Sequence, residues 1–502
     1  MFSGLPRRLL LGVAILHIVF FCIAVFSCIG FPYALDWIEG GMVDEVRMAL
    51  SGKPLYVKPS LDFIPFMYPP LYMYVSAIAY KALGAGFLPL RVVSLAATAG
   101  TFSIVYLFVR RESGSFYYGL LACGLLAGSF VTTGFVFNMA RVDQLYLFLF
   151  LAGVYLVRFH PSRKGYVGAA VLLSLSFLTK QTALVASLPL VLYAVVADGK
   201  KSLYLIIPAI VIAGGSILLL DHIHEGWYSF YVFKLPGGIP FEKRLIPVFL
   251  KQELMGPLSI ACVTSLFFIA SQLSSDRKKG LFYLMFAAGA LGGSLLSRLN
   301  IQAALNVNGP AYTVISILFA LGAYDALEKI KSSAHDITGM FEKFAILVFA
   351  IQLLALLYDP LKDLPTKKDM EAGADFVKVM SQFKGEIFVP FHGYVPVLAG
   401  KRTYAPDMAF YEIIRESDGA IKDGLVNEIR QALYERKFEA IILKPSIFDD
   451  GLMTQEDFKQ NYDIKQVLFY EGTKYWPNEI DGPEFVCVRK QGKSGELEPP
   501  NN

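Results

Sequence analysis

Immediately after the first long apolar run stands DWIEGGMVDE, Asp36 to Glu45, which carries four carboxylates in ten residues. Carboxylates beside a bilayer are expensive unless water, a partner or a task keeps them there, so this loop is where chemistry is expected. Asp36 and Glu39 lie three apart, on one face if the segment is helical, although Gly40-Gly41 weakens a helix. Either acid suits a general base that takes the proton of an acceptor hydroxyl; ordinary loop acidity facing water is the competing use. Asp44 and Glu45 precede Arg47 closely enough for a local ion pair, their simpler reading.

A second group sits in FNMARVDQLYLFLF, where Asn138, Arg141 and Asp143 occupy the mouth of an apolar run. They form either an interfacial cap or a second acid with an anion contact. Lys180, in TKQT between two short apolar runs, and Arg91, opening a run after Pro89, either snorkel to the interface or hold a phosphate as point charges. His222, His224 and Glu225 in DHIHEG permit metal ligation without specifying it, and read more simply as a polar interfacial loop; the aromatics from Trp227 to Tyr231 read as an interfacial belt.

Composition determines what must position these groups. Of 502 residues, 55% are hydrophobic and 18% charged, with mean hydropathy +0.49, which marks a polytopic α-helical membrane protein. The net charge of +4 is scattered through the loops and gives no basis for nucleic-acid binding. The five cysteines have no paired metal-ligand spacing and suggest neither a disulfide framework nor a zinc site.

Basic loops belong inside. They occur at Arg7-Arg8, Arg110-Arg111, Arg158 to Lys164, Lys200-Lys201, Arg277 to Lys279 and Lys329 to Lys343. The runs between them amount to about eleven spans, twelve or thirteen at most, in the plasma (inner) membrane, with a cytoplasmic N-terminus and the tail outside. The first run, roughly Leu9 to Phe31, exceeds the ~7–15 residues of a signal h-region and is read as an uncleaved span. The first outside loop is expected from about Pro32 to Leu90, with Pro69–Tyr80 as an interfacial or re-entrant helix within it. The runs Tyr166–Thr179 and Thr182–Ala197 predict a helical hairpin whose outer tip carries Lys180. Two domains follow: a multi-span domain over 1–360 and a soluble α/β domain over 366–502 on the non-cytoplasmic side. In the latter EIFVP and AIILKP read as strands, LVNEIRQALYERK as a helix, and HGYVP, His392 to Pro396, as a loop after a strand.

The order EGGMVDEVRMALSGKPLY, YPPLYMYVSAI, LRVVSLAA, ARVDQLYLFLFLAGVYL and LSFLTKQTALV, spanning roughly Asp36 to Tyr193, resembles the GT-C membrane glycosyltransferases, in the branch of protein O-mannosyltransferases and lipid A aminoarabinose transferases. The resemblance implies an inverting transfer of a hexosyl or pentosyl unit from a polyprenyl-phosphate-linked donor to a glycan, lipid or protein acceptor. It implies a first-loop acid as base, here Glu39 first, Asp36 second and Asp44 third, with Asp143 as second acid. Lys180, Arg91 and Arg141 would contact the donor phosphate. The family's Asp-Glu pair falls at Ile38-Glu39 when counted back from Gly52, and its Lys before Pro-Pro is Tyr68 here. A monophosphate leaving group demands no metal, so neither metal nor cofactor is expected; the partners are the donor, the acceptor and membrane lipid. The alternative is a transporter or flippase of a lipid-linked saccharide, whose ionisable residues sit at mid-membrane in broken helices. Here they gather at span ends on one face, which favours an enzyme. A bare membrane anchor for the tail would not need so many spans.

Overall fold

The computed structural model describes residues 4–301, 303–332, 338–362, 364–417, 419–448, 453–468 and 484–490; the end of the expected tail domain, 491–502, lies outside the described residues. The chain divides into two compact units. The first comprises Met1–Pro32, Glu45–Leu55 and Met67–Leu364, and the second Tyr33–Asp44, Tyr56–Phe66 and Pro365–Asn502.

The first unit is helical. Its early helices are α1 (Leu5–Cys28), the later part of α2 (Trp37–Leu50), α3 (Leu71–Leu83), α4 (Leu88–Ser113), α5 (Phe116–Gly128), α6 (Asp143–Phe159), α7 (Arg163–Thr179) and α8 (Thr182–Asp198). Proline in the first turn of α1 and α4, where its missing N–H is harmless, fixes their starts, and left-handed Gly114 ends α4. Among the described residues six helical stretches are long and apolar enough to cross a membrane: α1, α4, Thr182–Ile223, Leu245–Ser275, Arg277–Arg298 and Leu305–Ser332. The 42-residue stretch passes through a tight turn at Gly199–Ser202. Helices of 17 residues lie at α6, α7 and Thr338–Leu354. At 13 residues α3 rises about 20 Å, short of a bilayer core of about 30 Å.

Helix ends assigned to the inside by their basic loops meet one another. Glu112, closing α4, accepts from Arg158 Nε of α6 at 2.6 Å and pairs with Lys279 Nζ at 2.9 Å. Asp198, closing α8, accepts from Lys278 Nζ at 2.8 Å and from the Tyr166 hydroxyl. Cations from two basic loops, Arg158 to Lys164 and Arg277 to Lys279, thus meet carboxylates at the ends of α4 and α8.

The second unit holds the soluble α/β fold. Its strands are β1 (Ile387–Phe388), β2 (Ala440–Leu443), β3 (Tyr462–Leu468) and β4 (Glu484–Arg489), in the spatial order β1-β2-β4-β3; β1 and β2 are parallel and the other pairs antiparallel. The strand expected over EIFVP contracts to two residues, while AIILKP supplies the fully buried β2. Helices Lys367–Ser381, Asp407–Glu416, Gly419–Tyr434 and Gln455–Asn461 accompany the sheet. Thr366 starts the first of them with a reciprocal cap to Asp369. Phe388, Tyr404, Phe410 and Phe438 form the aromatic core beside β1 and β2.

Two strips from early in the chain complete this unit. The Leu61 N–H donates to Glu428 at 3.1 Å, the Ala405 N–H donates to the Leu61 carbonyl at 3.1 Å, and Arg402 pairs with Asp62 at 2.7 Å.

Candidate active site

Helix α2 runs unbroken through Gly40-Gly41, so the glycines expected to weaken it do not interrupt it. Asp36 precedes its first residue, and its Oδ1 accepts the Ile38 N–H at 3.1 Å, an N-cap bond. Glu39, in the first turn, is 0% exposed, and its Oε2 accepts the Leu35 N–H at 2.6 Å. A helix N-terminus favours negative charge, so both acids occupy positions where the backbone stabilises a carboxylate. Asp44 accepts from the Thr403 hydroxyl at 3.1 Å. All three acids belong to the second unit.

The first unit brings together three of the other predicted residues. Lys180 Nζ meets Asp143 Oδ1 at 2.7 Å, and Arg141 Nε meets Asp143 Oδ2 at 3.4 Å. Asn306 Nδ2 donates to Asp143 Oδ1 at 3.0 Å. All four side chains are buried. Two cations, from Lys180 and Arg141, thus bear on the one carboxylate of Asp143. A small pocket beside it is lined by Asp143, Lys180, Asn306, Thr182, Ser297 and Tyr146, among others.

The local chain explains the placement. Thr179 ends α7 because Lys180 is extended (φ −151°, ψ 124°), and α8 begins at Thr182. Between them the Gln181 amide donates to the Met67 carbonyl at 2.8 Å, pinning the break. Tyr68, in the place of the family lysine, lies with its ring centroid 6.0 Å from Lys180 Nζ. An aromatic face supports a cation where a second cation would repel it.

Arg91 lies outside this cluster. It is fully buried, and its guanidinium donates to the carbonyls of Phe31 at 2.5 Å and Ile29 at 3.4 Å, just past the end of α1, with Phe87 beneath it. Asn138 donates to Cys28 Sγ at 2.9 Å, at the last residue of α1.

Sequence reasoning missed Asn306 and the charge cluster next to it. Arg298 Nε reaches both oxygens of Glu253, at 2.8 and 3.1 Å, Asn308 Nδ2 donates to Glu253 at 2.9 Å, and the Tyr312 hydroxyl donates to the Glu253 carbonyl. Arg298 also donates to the Ala303 carbonyl at 3.2 Å, tying down the connection that carries Asn306. The available signal was the stretch after Arg298, whose three asparagines, Asn300, Asn306 and Asn308, stand beside long apolar segments.

The fold is that of the GT-C membrane glycosyltransferases. ArnT from Cupriavidus metallidurans bound to undecaprenyl phosphate superposes with a TM-score of 0.61 at 11% identity, covering 97% of this chain and 99% of ArnT. The oligosaccharyltransferase AglB from Archaeoglobus fulgidus, in complex with an inhibitory peptide and a dolichol-phosphate, gives a TM-score of 0.52 at 10% identity over 97% of this chain and 75% of its own. Residues 67–223 match the family model of dolichyl-phosphate-mannose-protein mannosyltransferases. No curated protein matches the chain in sequence.

Proposed function

We propose that this protein is an inverting glycosyltransferase that moves a sugar from a polyprenyl-phosphate-linked donor to an acceptor hydroxyl on the non-cytoplasmic face of the plasma membrane, with its N-terminus in the cytoplasm. The observation that carries this reading is the buried Asp143–Lys180–Arg141 cluster, whose ammonium and guanidinium are cations of the kind that a departing phosphate monoester needs. Support comes from a fold shared along nearly the whole chain with ArnT, a protein seen with undecaprenyl phosphate bound.

In this mechanism the carboxylate of Glu39, or of Asp36 at the cap, accepts the acceptor's hydroxyl proton, for which a positioned base contributes ~10²–10⁴-fold. The acceptor oxygen attacks the anomeric carbon as the bond from that carbon to the phosphate oxygen breaks. Both bonding electrons leave with the polyprenyl phosphate. Lys180 and Arg141 stabilise that charge from fixed positions, and Asp143 with Asn306 holds the ammonium in place. Asp44 is assigned a supporting role through Thr403, and Arg91 the task of fixing the chain where it leaves α1.

The test is complementation of a host strain that has lost the gene and, with it, one surface glycan. Wild type restores the glycan, whereas Glu39→Gln, Asp36→Asn and Asp143→Asn are each expected to restore it poorly at equal membrane abundance. Full restoration by all three would refute the proposal.

A further inference from the structure

Two motifs stand out in the sequence without a joint explanation: the Glu-Gly-Gly of the first outside loop and the His-Gly-Tyr of the soluble domain. In the second unit they touch. The Tyr394 N–H donates to the Gly40 carbonyl at 3.3 Å. A Cβ on Gly393 would stand 2.4 Å from the Gly40 carbonyl carbon and 2.5 Å from the Gly41 nitrogen; one on Gly40 would stand 3.0 Å from Gly393 Cα and from the nitrogens of Gly393 and Tyr394. Backbone meets backbone here, so neither position can take a side chain without displacing the other strand of chain. Gly41 is confined in the same way, since its Cβ would enter the Phe66 ring and press on Pro406.

The turn itself is anchored. His392 Nε2 lies 2.7 Å from Glu484 Oε1 at the start of β4, both side chains are buried, and Lys444 Nζ approaches the same oxygen at 3.9 Å. Phe376 packs edge-on against the imidazole, with ring centroids 4.8 Å apart. The start of β4, a strand paired on both sides, therefore fixes His392, His392 carries Gly393-Tyr394, and those residues fix the first turn of α2, in which Glu39 stands one residue before Gly40.

We propose that the His392-Gly393-Tyr394 turn is a positioning element for the catalytic acid, so that the soluble domain takes part in the transfer by setting where the Glu39 carboxylate stands. The proposal rests on the reading of Glu39 as the base. It accounts for a loop otherwise without a task, and it needs no contact between His392 and the substrate.

The experiment uses the full-length chain in the glycan complementation assay, with purified protein titrated against undecaprenyl phosphate in parallel. Gly393→Ala is expected to lower glycan formation at least about tenfold, the scale of loss that a displacement well under 1 Å brings to a reacting group. Its affinity for undecaprenyl phosphate and its abundance in the membrane should stay within about twofold, a split that general misfolding would not give. Gly40→Ala, the milder clash, should fall between Gly393→Ala and wild type. Gly424→Ala, in an exposed helix of the same unit with nothing within 4 Å of its Cβ, should equal wild type. Wild-type glycan from both Gly393→Ala and Gly40→Ala, with Glu39→Gln inactive, would overturn the positioning role and leave the catalytic one standing. An active Glu39→Gln would remove both. If Gly393→Ala does not accumulate, Gly40→Ala decides by the same criterion.

Discussion

Replacing Lys180 by methionine leaves Asp143 enclosed with one fewer cation, and breaking a buried pair this way typically destabilises by about 3–5 kcal/mol. Lys180→Met should therefore lower the melting temperature in detergent and weaken undecaprenyl phosphate binding at least tenfold, both measurable on one purified sample. Glu412 makes a different prediction. Burial and the neighbouring Glu416 push its carboxyl from 4.5 up to about 8, so the folded unit prefers the protonated form. The stability it contributes is complete below about pH 4.5 and disappears as pH rises through about 8. Glu412→Gln should flatten that decline in the melting of the second unit between pH 5 and about 9. Single residues were legible where charge type and a break in apolar pattern coincided, as at Asp143 and Lys180. Asn306 was not, because a neutral amide in a polar loop looks the same whether it faces water or an acid.

Among elements, the break between α7 and α8 was readable because TKQT interrupts two apolar runs, and the extended Lys180 occupies that gap. The continuity of α2 was not readable. Two glycines argue against a helix by propensity, yet close packing on Gly393 and Phe66 requires them and offsets their cost. The connection after the Arg277–Arg298 helix offers a test at this scale. Arg298→Met would leave Glu253 buried without its bidentate partner and free the segment that carries Asn306. The expected result is a destabilisation of about 3–5 kcal/mol together with weaker donor binding, although Arg298 touches neither Asp143 nor Lys180 in any bond described above. Loss of stability with unchanged donor affinity would confine Arg298 to a structural role.

For the whole molecule, composition and charge pattern announced many helices followed by an α/β tail. The recruitment of Tyr33–Asp44 and Tyr56–Phe66 into the second unit left no local trace, since contacts over such separations are made by packing, not by periodicity. A fragment starting at Pro365 should therefore be an incomplete domain. Expressed alone, it is expected to bind an apolar dye and melt broadly, whereas linking the two early strips to it should restore a cooperative transition. A sharp, dye-free melt of the bare fragment would contradict the division into units.

The second unit is also discontinuous in time. Its first strips leave the ribosome early, and their binding surface begins only at Pro365, roughly three hundred residues after Phe66. At a synthesis rate of about 5–20 residues per second the acidic helix start waits some fifteen seconds to a minute for its support. Until translation nears its end that helix start stands without the residues that pack on it, so a chain terminated before Pro365 is expected to leave the start of α2 unsupported.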